Sequence, residues 1–277
     1  MKFTNKLKTL LPFFIYSNGV VSLATALLCY GICIQNSMPN TIEYALFIFF
    51  STLLTYNLQR YLKAIQNING LTSHMVWVNK NRNYLLTTLI VSAIISTFIF
   101  VKLYNGNLLS GGILILSALI SLFYIKNIGK FNLRSVPQLK IHLIALIWVI
   151  ATAYFPLINE SKFHSNVWLY GSIQYIYIIA ITIPFDIRDL KYDEPKYKTI
   201  PQLLGFKKAK QLSILLMALY FVFSIAIKPA LQSNAFFYIA ITYTIVLLFL
   251  VTEKRNDFYY SGWIEASIII VGISLSN

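Results

Sequence analysis

The chain has 277 residues, of which 57% are hydrophobic and 12% charged, and its mean hydropathy is +0.66. A soluble domain needs roughly a quarter of its residues charged to cover its surface, so the bilayer is the expected solvent. The formal net charge of +14 sits in short clusters between apolar segments rather than along one face, which argues against a nucleic-acid groove.

A helix needs about 20 residues to cross about 30 Å of hydrocarbon. Nine apolar segments of about that length follow one another, near residues 11–35, 41–59, 84–103, 108–125, 141–158, 166–185, 211–228, 234–251 and 260–276. The expected fold class is therefore all-α and polytopic, with residues 1–277 forming one transmembrane helical domain and no soluble domain left over. The start has no small-residue cleavage site, and Leu28 before Cys29 is a poor lipoprotein junction, so the first segment is expected to stay as a helix. Cys29 and Cys33 lie one helical turn apart inside that segment and read as small core residues.

Lys and Arg concentrate on the cytoplasmic side of membrane proteins. All but three of the 23 basic residues precede the first segment or fall in the second, fourth, sixth and eighth loops; the exceptions are Lys102, Lys162 and Lys228. That alternation predicts an integral membrane protein, taken as one of a bacterial inner membrane, with its N-terminus cytoplasmic and its C-terminus outside. The second and sixth loops are the long ones, and long loops between spans are the candidates for function.

Four of the nine acidic residues, Asp186, Asp189, Asp193 and Glu194, crowd the end of the sixth segment. Asp186, Asp189 and Asp193 are spaced i, i+3, i+7, which stacks three carboxylates on one helical face, where they repel unless a cation intervenes. Mg²⁺ prefers carboxylate and phosphate oxygens and bridges protein to diphosphate, so a diphosphate-bearing substrate fits such a face. The same run also fits a solvated helix end in which Arg188, Lys191 and Lys196 neutralise the acids.

Asp186-x-x-Asp189-x-x-x-Asp193, followed by Lys198-Thr199-Ile200-Pro201 and Leu204-Gly205, resembles the second aspartate motif of the UbiA superfamily of intramembrane prenyltransferases. The resemblance implies a nine-helix UbiA-like bundle with this motif after the sixth helix and a related Asn-Asp-x-x-Asp-x-x-x-Asp motif after the second. It implies that Asp186, Asp189 and Asp193 hold Mg²⁺ as the cofactor and act catalytically, and that Lys198 contacts the diphosphate of an isoprenyl substrate. The prenyl group would pass to an aromatic or lipid-like acceptor in the membrane.

At the first motif only Asn57 matches; Leu58, Tyr61 and Ile65 stand where carboxylates are expected. Arg60 and Lys63, one turn apart, are candidates to face the diphosphate in place of a metal, and positive-inside anchoring explains them equally. Arg134 in the fourth loop is a candidate to close over the diphosphate. Tyr56, Tyr61 and Tyr192 lie beside the expected site, where aromatic faces shield an allylic cation. His74, His142 and His164 show no metal-ligand spacing, and Glu265 is an acid inside a span and so a functional suspect. Two other readings compete: a non-catalytic binder or carrier of polyprenyl phosphates, favoured by the missing first-motif acids, and a terpenoid cyclase of the same fold.

Overall fold

A computed structural model describes residues 13–65, 73–124, 133, 136–161 and 166–276. Among these residues there is no strand, and each expected span falls on helix. In chain order the helices are α1 (Gly19–Gln35), α2 (Thr41–Ile65), the short α3 (Ser73–Lys80), α4 (Arg82–Leu103), α5 (Leu108–Phe123) and α6 (Leu139–Val149). A π-turn at Ile150–Tyr154 joins α6 to α7 (Phe155–Asn159); α8 (Asn166–Asp189), α9 (Ile200–Ile227) and α10 (Ala235–Phe249) follow, and a second π-turn at Tyr259–Ile264 leads into α11 (Glu265–Ser274).

Five of these segments are long and apolar enough to cross a membrane: α2, α4, the continuous Leu139–Asn159, Val167–Asp189 of α8, and α9. Helices α1, α5 and α10 are apolar but shorter. Large apolar side chains such as Ile94, Val101, Leu108, Val222 and Phe249 point outward, which is tolerable only where lipid replaces water. The protein is an integral membrane protein with an all-α fold.

Two helices outrun the hydropathy pattern. α2 continues to Ile65 and α9 starts at Ile200 rather than near 211, because both carry basic residues where they leave the apolar zone and a helix does not end where hydrophobicity does. The start of α9 is set by Thr199 as N-cap, by Pro201 in the first turn and by Gln202, whose Oε1 accepts from the Thr199 N–H at 2.9 Å. Gly205 then breaks the helix with φ +77, a left-handed value that glycine adopts without strain.

Helix packing follows a ring: α4 on α2, α2 on α1, α1 on α11, then α10, α9, α8, α6 and α5 in turn. The α1–α11 seam is the tightest. A Cβ on Gly31 would lie 2.2 Å from the Gly272 carbonyl oxygen, and one on Gly272 would lie 2.5 Å from the Leu27 backbone, so the two backbones touch as small residues allow in a bilayer. The ring is loosest where α5 turns toward α6 and α7 while α2 turns toward α4. That divergence leaves a cleft.

Two buried polar side chains bridge helices. Pro184 inside α8 has no N–H for the Ala180 carbonyl, and the Ser213 hydroxyl of α9 donates to that carbonyl at 2.6 Å. At the far end of the cleft the buried Asn159 donates to Tyr44 Oη at 2.6 Å and to the Leu103 carbonyl at 2.9 Å, and accepts from Ser110 Oγ at 3.1 Å. One amide thereby ties α2, α4 and α5 to the end of α7, closing the cleft opposite its charged mouth.

Two variants test this packing. Ser213→Ala orphans a buried carbonyl and is expected to cost about 1–3 kcal/mol, read as a lower melting temperature in detergent; an unchanged melt would mean that Ala180 has another partner. Gly272→Val forces α1 and α11 apart and is expected to cost about 1–3 kcal/mol or more, with thermal unfolding again the readout.

Candidate functional site

Asp186, Asp189 and Asp193 converge on one point, and a lysine ammonium occupies it. Lys140 Nζ lies 2.7 Å from Asp186 Oδ1, 3.1 Å from Asp193 Oδ2 and 3.8 Å from Asp189 Oδ2. The Asp193 contact is an aligned hydrogen bond, whereas Asp186 is held as an ion pair without that alignment. The Asp186 and Asp193 side chains are each 2% exposed and Asp189 22%. Burial in a low-dielectric setting makes this attraction strong and makes each unpaired charge costly.

Local sequence explains the meeting. Asp186 and Asp189 end α8, and although Asp193 lies beyond the helix its N–H still donates to the Asp189 carbonyl at 2.9 Å, continuing the turn. From the other side, Gln138 takes a left-handed φ of 62 and donates its N–H to the Tyr197 carbonyl at 3.0 Å. That bond fastens the first turn of α6, with Lys140 on it, to the loop that follows α8. Gln202 Nε2 donates to the Asp193 and Glu194 carbonyls at 3.0 and 3.2 Å, holding the same loop from α9.

A second charge group stands beside the first. Arg188 grips Asp189 through Nε at 2.7 Å and Nη2 at 3.2 Å, a bidentate pair, while its guanidinium lies 5.4 Å over Phe185 and 5.7 Å over Tyr260. Arg60 on α2 donates from Nε to Asn18 Oδ1 at 2.8 Å; Asn18 Nδ2 donates to Asn57 Oδ1 at 2.7 Å, and Asn57 Nδ2 to the Ser17 carbonyl at 3.2 Å. Arg60 and Arg188 are the cations acting on Glu265, so that acid belongs to this group rather than standing alone.

The cleft between α2 and α5 holds two adjacent cavities that share wall residues. The one at the charged mouth, about 210 Å³, is lined by Gln59, Lys63, Lys140, Asp189 and Tyr124. The inner one, about 250 Å³, has apolar walls including Phe47, Leu114 and Ala151, set with hydroxyls such as Thr25, Ser51 and Ser117. Thr55, Tyr56, Ser121, Ile147 and Trp148 line both. Trp148 Nε1 donates to Tyr56 Oη at 3.3 Å, so an aromatic pair marks the passage between a charged chamber and an apolar one.

Among the residues expected from sequence, Asp186, Asp189 and Asp193 come together, and Lys63 lines the charged cavity with Asp189. Asn57 is fully buried and with Asn18 positions Arg60. Tyr192 is 67% exposed and Lys198 is exposed at a left-handed backbone position, so neither faces the cavity here. Arg134 lies outside the described residues. Lys140 and Asn18 carry more of the site than composition suggested; the sequence marks Lys140 only as one more base at the start of an apolar span.

Mg²⁺ binds near-octahedrally at about 2.0–2.1 Å and keeps several waters. The three carboxylates instead enclose an ammonium, two of them are shut off from water, and Asp189 is gripped by Arg188. Across the mouth, Leu58, Tyr61 and Ile65 offer no anionic ligand. Among the described residues no three His, Cys, Asp or Glu side chains are arranged as a metal site. The donor set fits Lys140 and does not fit a hydrated divalent ion.

No protein-family model and no curated protein matches the sequence. The fold does match solved structures. A UbiA homologue from Archaeoglobus fulgidus bound to GPP and Mg²⁺ superposes with a TM-score of 0.59 at 15% identity, over 95% of this chain and 99% of that one. The same homologue bound to DMAPP and Mg²⁺ gives 0.57 at 14% identity, over 95% and 98%. A structure concerned with digeranylgeranylglyceryl phosphate synthase in membranes gives 0.53 at 15% identity, over 98% of each chain. The chain has the UbiA fold along nearly its whole length.

The fully buried Asn57 gives this site a test of its own. Asn57→Ala removes the partner of Asn18 and releases Arg60, and is expected to cost about 1–3 kcal/mol; thermal unfolding with wild-type stability would mean that the Asn18–Asn57 link positions nothing.

Proposed function

We propose that this protein binds an isoprenyl diphosphate with its head in the charged cavity and its tail in the apolar one, and transfers the prenyl group to a hydrophobic acceptor drawn from the bilayer. The observation that carries the reading is a charged cavity beside an apolar one, with Tyr56 and Trp148 in the wall of both. A ligand that is ionic at one end and hydrocarbon at the other matches that sequence of walls. The fold shared with homologues bound to GPP or DMAPP supports it, and the basic end is read as cytoplasmic.

The chemistry asked of the chain is electrostatic. When the allylic carbon–oxygen bond breaks, its electron pair leaves with the diphosphate, and Lys63 and Lys140 on the cavity wall stabilise the charge that grows there. The carbocation left behind lies beside the Tyr56 and Trp148 rings, whose faces attract it. A nucleophile of the acceptor bonds to that carbon, and its proton passes to the departing diphosphate. The Mg²⁺ of the homologues is not carried into this scheme, since Lys140 already satisfies the carboxylates.

A second reading, binding of a polyprenyl phosphate without turnover, is favoured by one observation: the α2 side carries Leu58, Tyr61 and Ile65 in place of acids. Release of pyrophosphate from labelled prenyl diphosphates of several lengths, with a pool of aromatic and lipid acceptors, separates the two. Transfer predicts release, while binding without release at any length establishes the carrier. Lys63→Ala is expected to weaken binding by about 10–100-fold, the worth of a charged hydrogen bond; unchanged binding would place the head elsewhere.

A further inference from the structure

We infer that the head-group site works without a divalent metal, with Lys140 as its built-in cation and the three aspartates as the anchor that fixes it. This rests on the reading of the cleft as a site for a phosphate-bearing lipid. The geometry carries it: one lysine side chain 11% exposed, two carboxylate side chains 2% exposed around its ammonium at 2.7 and 3.1 Å, and Asp189 held by Arg188 on its other side. A metal entering the same oxygens would have to expel a buried ammonium that already neutralises them.

The aspartates have a different task in this arrangement. They hold Lys140 charged and aimed along the wall it shares with Lys63 and Gln59. The α2 wall is compatible with this: a side that carries Lys63 and no acid presents a cation to a diphosphate directly, whereas an acidic side would need a metal to approach one. Asn18 and Asn57 restrain Arg60 one turn before Lys63. The class of ligand is a mono- or diphosphate ester of a lipid alcohol, free of bound metal.

Equilibrium binding of geranyl diphosphate to the purified chain in detergent, with Mg²⁺ in one arm and EDTA in the other, tests this. The expected result is the same dissociation constant in both arms within about twofold. Binding in the Mg²⁺ arm with a loss of about tenfold or more in EDTA overturns the inference and leaves the proposed function standing. Binding in neither arm overturns both. A second measurement uses Mg²⁺ alone. The wild-type melting temperature is expected not to move with Mg²⁺, whereas Lys140→Met, in which three carboxylates lose their ammonium, is expected to be stabilised by it. A wild-type melt raised by Mg²⁺ overturns the inference, and the two wild-type arms decide even where the variant fails to fold.

Discussion

Three carboxylates that converge on one point are unstable without counter-charge, and the bundle places one buried ammonium among them, with Arg188 on the other side of Asp189. Lys140 reaches from the first turn of α6 to Asp186, Asp189 and Asp193 at the end of α8. Such buried ions add little net stability over an apolar core, because desolvation consumes most of the attraction, but breaking one leaves uncompensated charge. The contact therefore acts as a registration device. It fixes how α6 sits against α8, and with the Gln138–Tyr197 bond it fixes the loop that follows α8.

The cleft then follows from two restraints of different kind at its two ends. At the charged mouth, ion pairs and the Asn18–Asn57–Arg60 chain set the positions of α2, α6 and α8. At the other end, Asn159 binds α2, α4 and α5 together. Between them α2 and α5 diverge, with small or hydroxyl side chains such as Ser117, Ser121 and Thr55 on the facing surfaces. Ser117, Ser121 and Thr55 donate their protons to carbonyls of their own helices, so these walls add no unpaired donor to an apolar space. On the opposite side the Gly31–Gly272 contact shuts the α1–α11 seam.

Much of this was legible in the sequence. Segment length and the alternation of basic loops located the helices, and the close spacing of Asp186, Asp189 and Asp193 pointed to acids that need a cation, although the helix ends at Asp189 and the turn after it brings Asp193 in. What the sequence concealed was which cation. Lys140 belongs to a class of residues that topology alone explains, and nothing in its neighbours distinguishes a buried counter-ion from a surface anchor. The hydrogen bond from Ser213 to the Ala180 carbonyl, which compensates for Pro184, joins residues 33 positions apart, and no local pattern encodes it. Tyr192 was singled out by proximity to the acids and Lys198 by the family motif, and both side chains are exposed. Arg60 and Asn57 differ in kind: both were singled out, but their partner Asn18 sits at the head of α1 and was visible only once the helices were packed.

The central claim is that Lys140 and the acids of α8 form one energetic unit. A double-mutant cycle of Lys140→Met and Asp186→Asn, followed by reversible unfolding in mixed micelles, measures this directly. The account predicts that the two changes together cost less than their sum by about 1–3 kcal/mol. Costs that add within about 0.5 kcal/mol would contradict it.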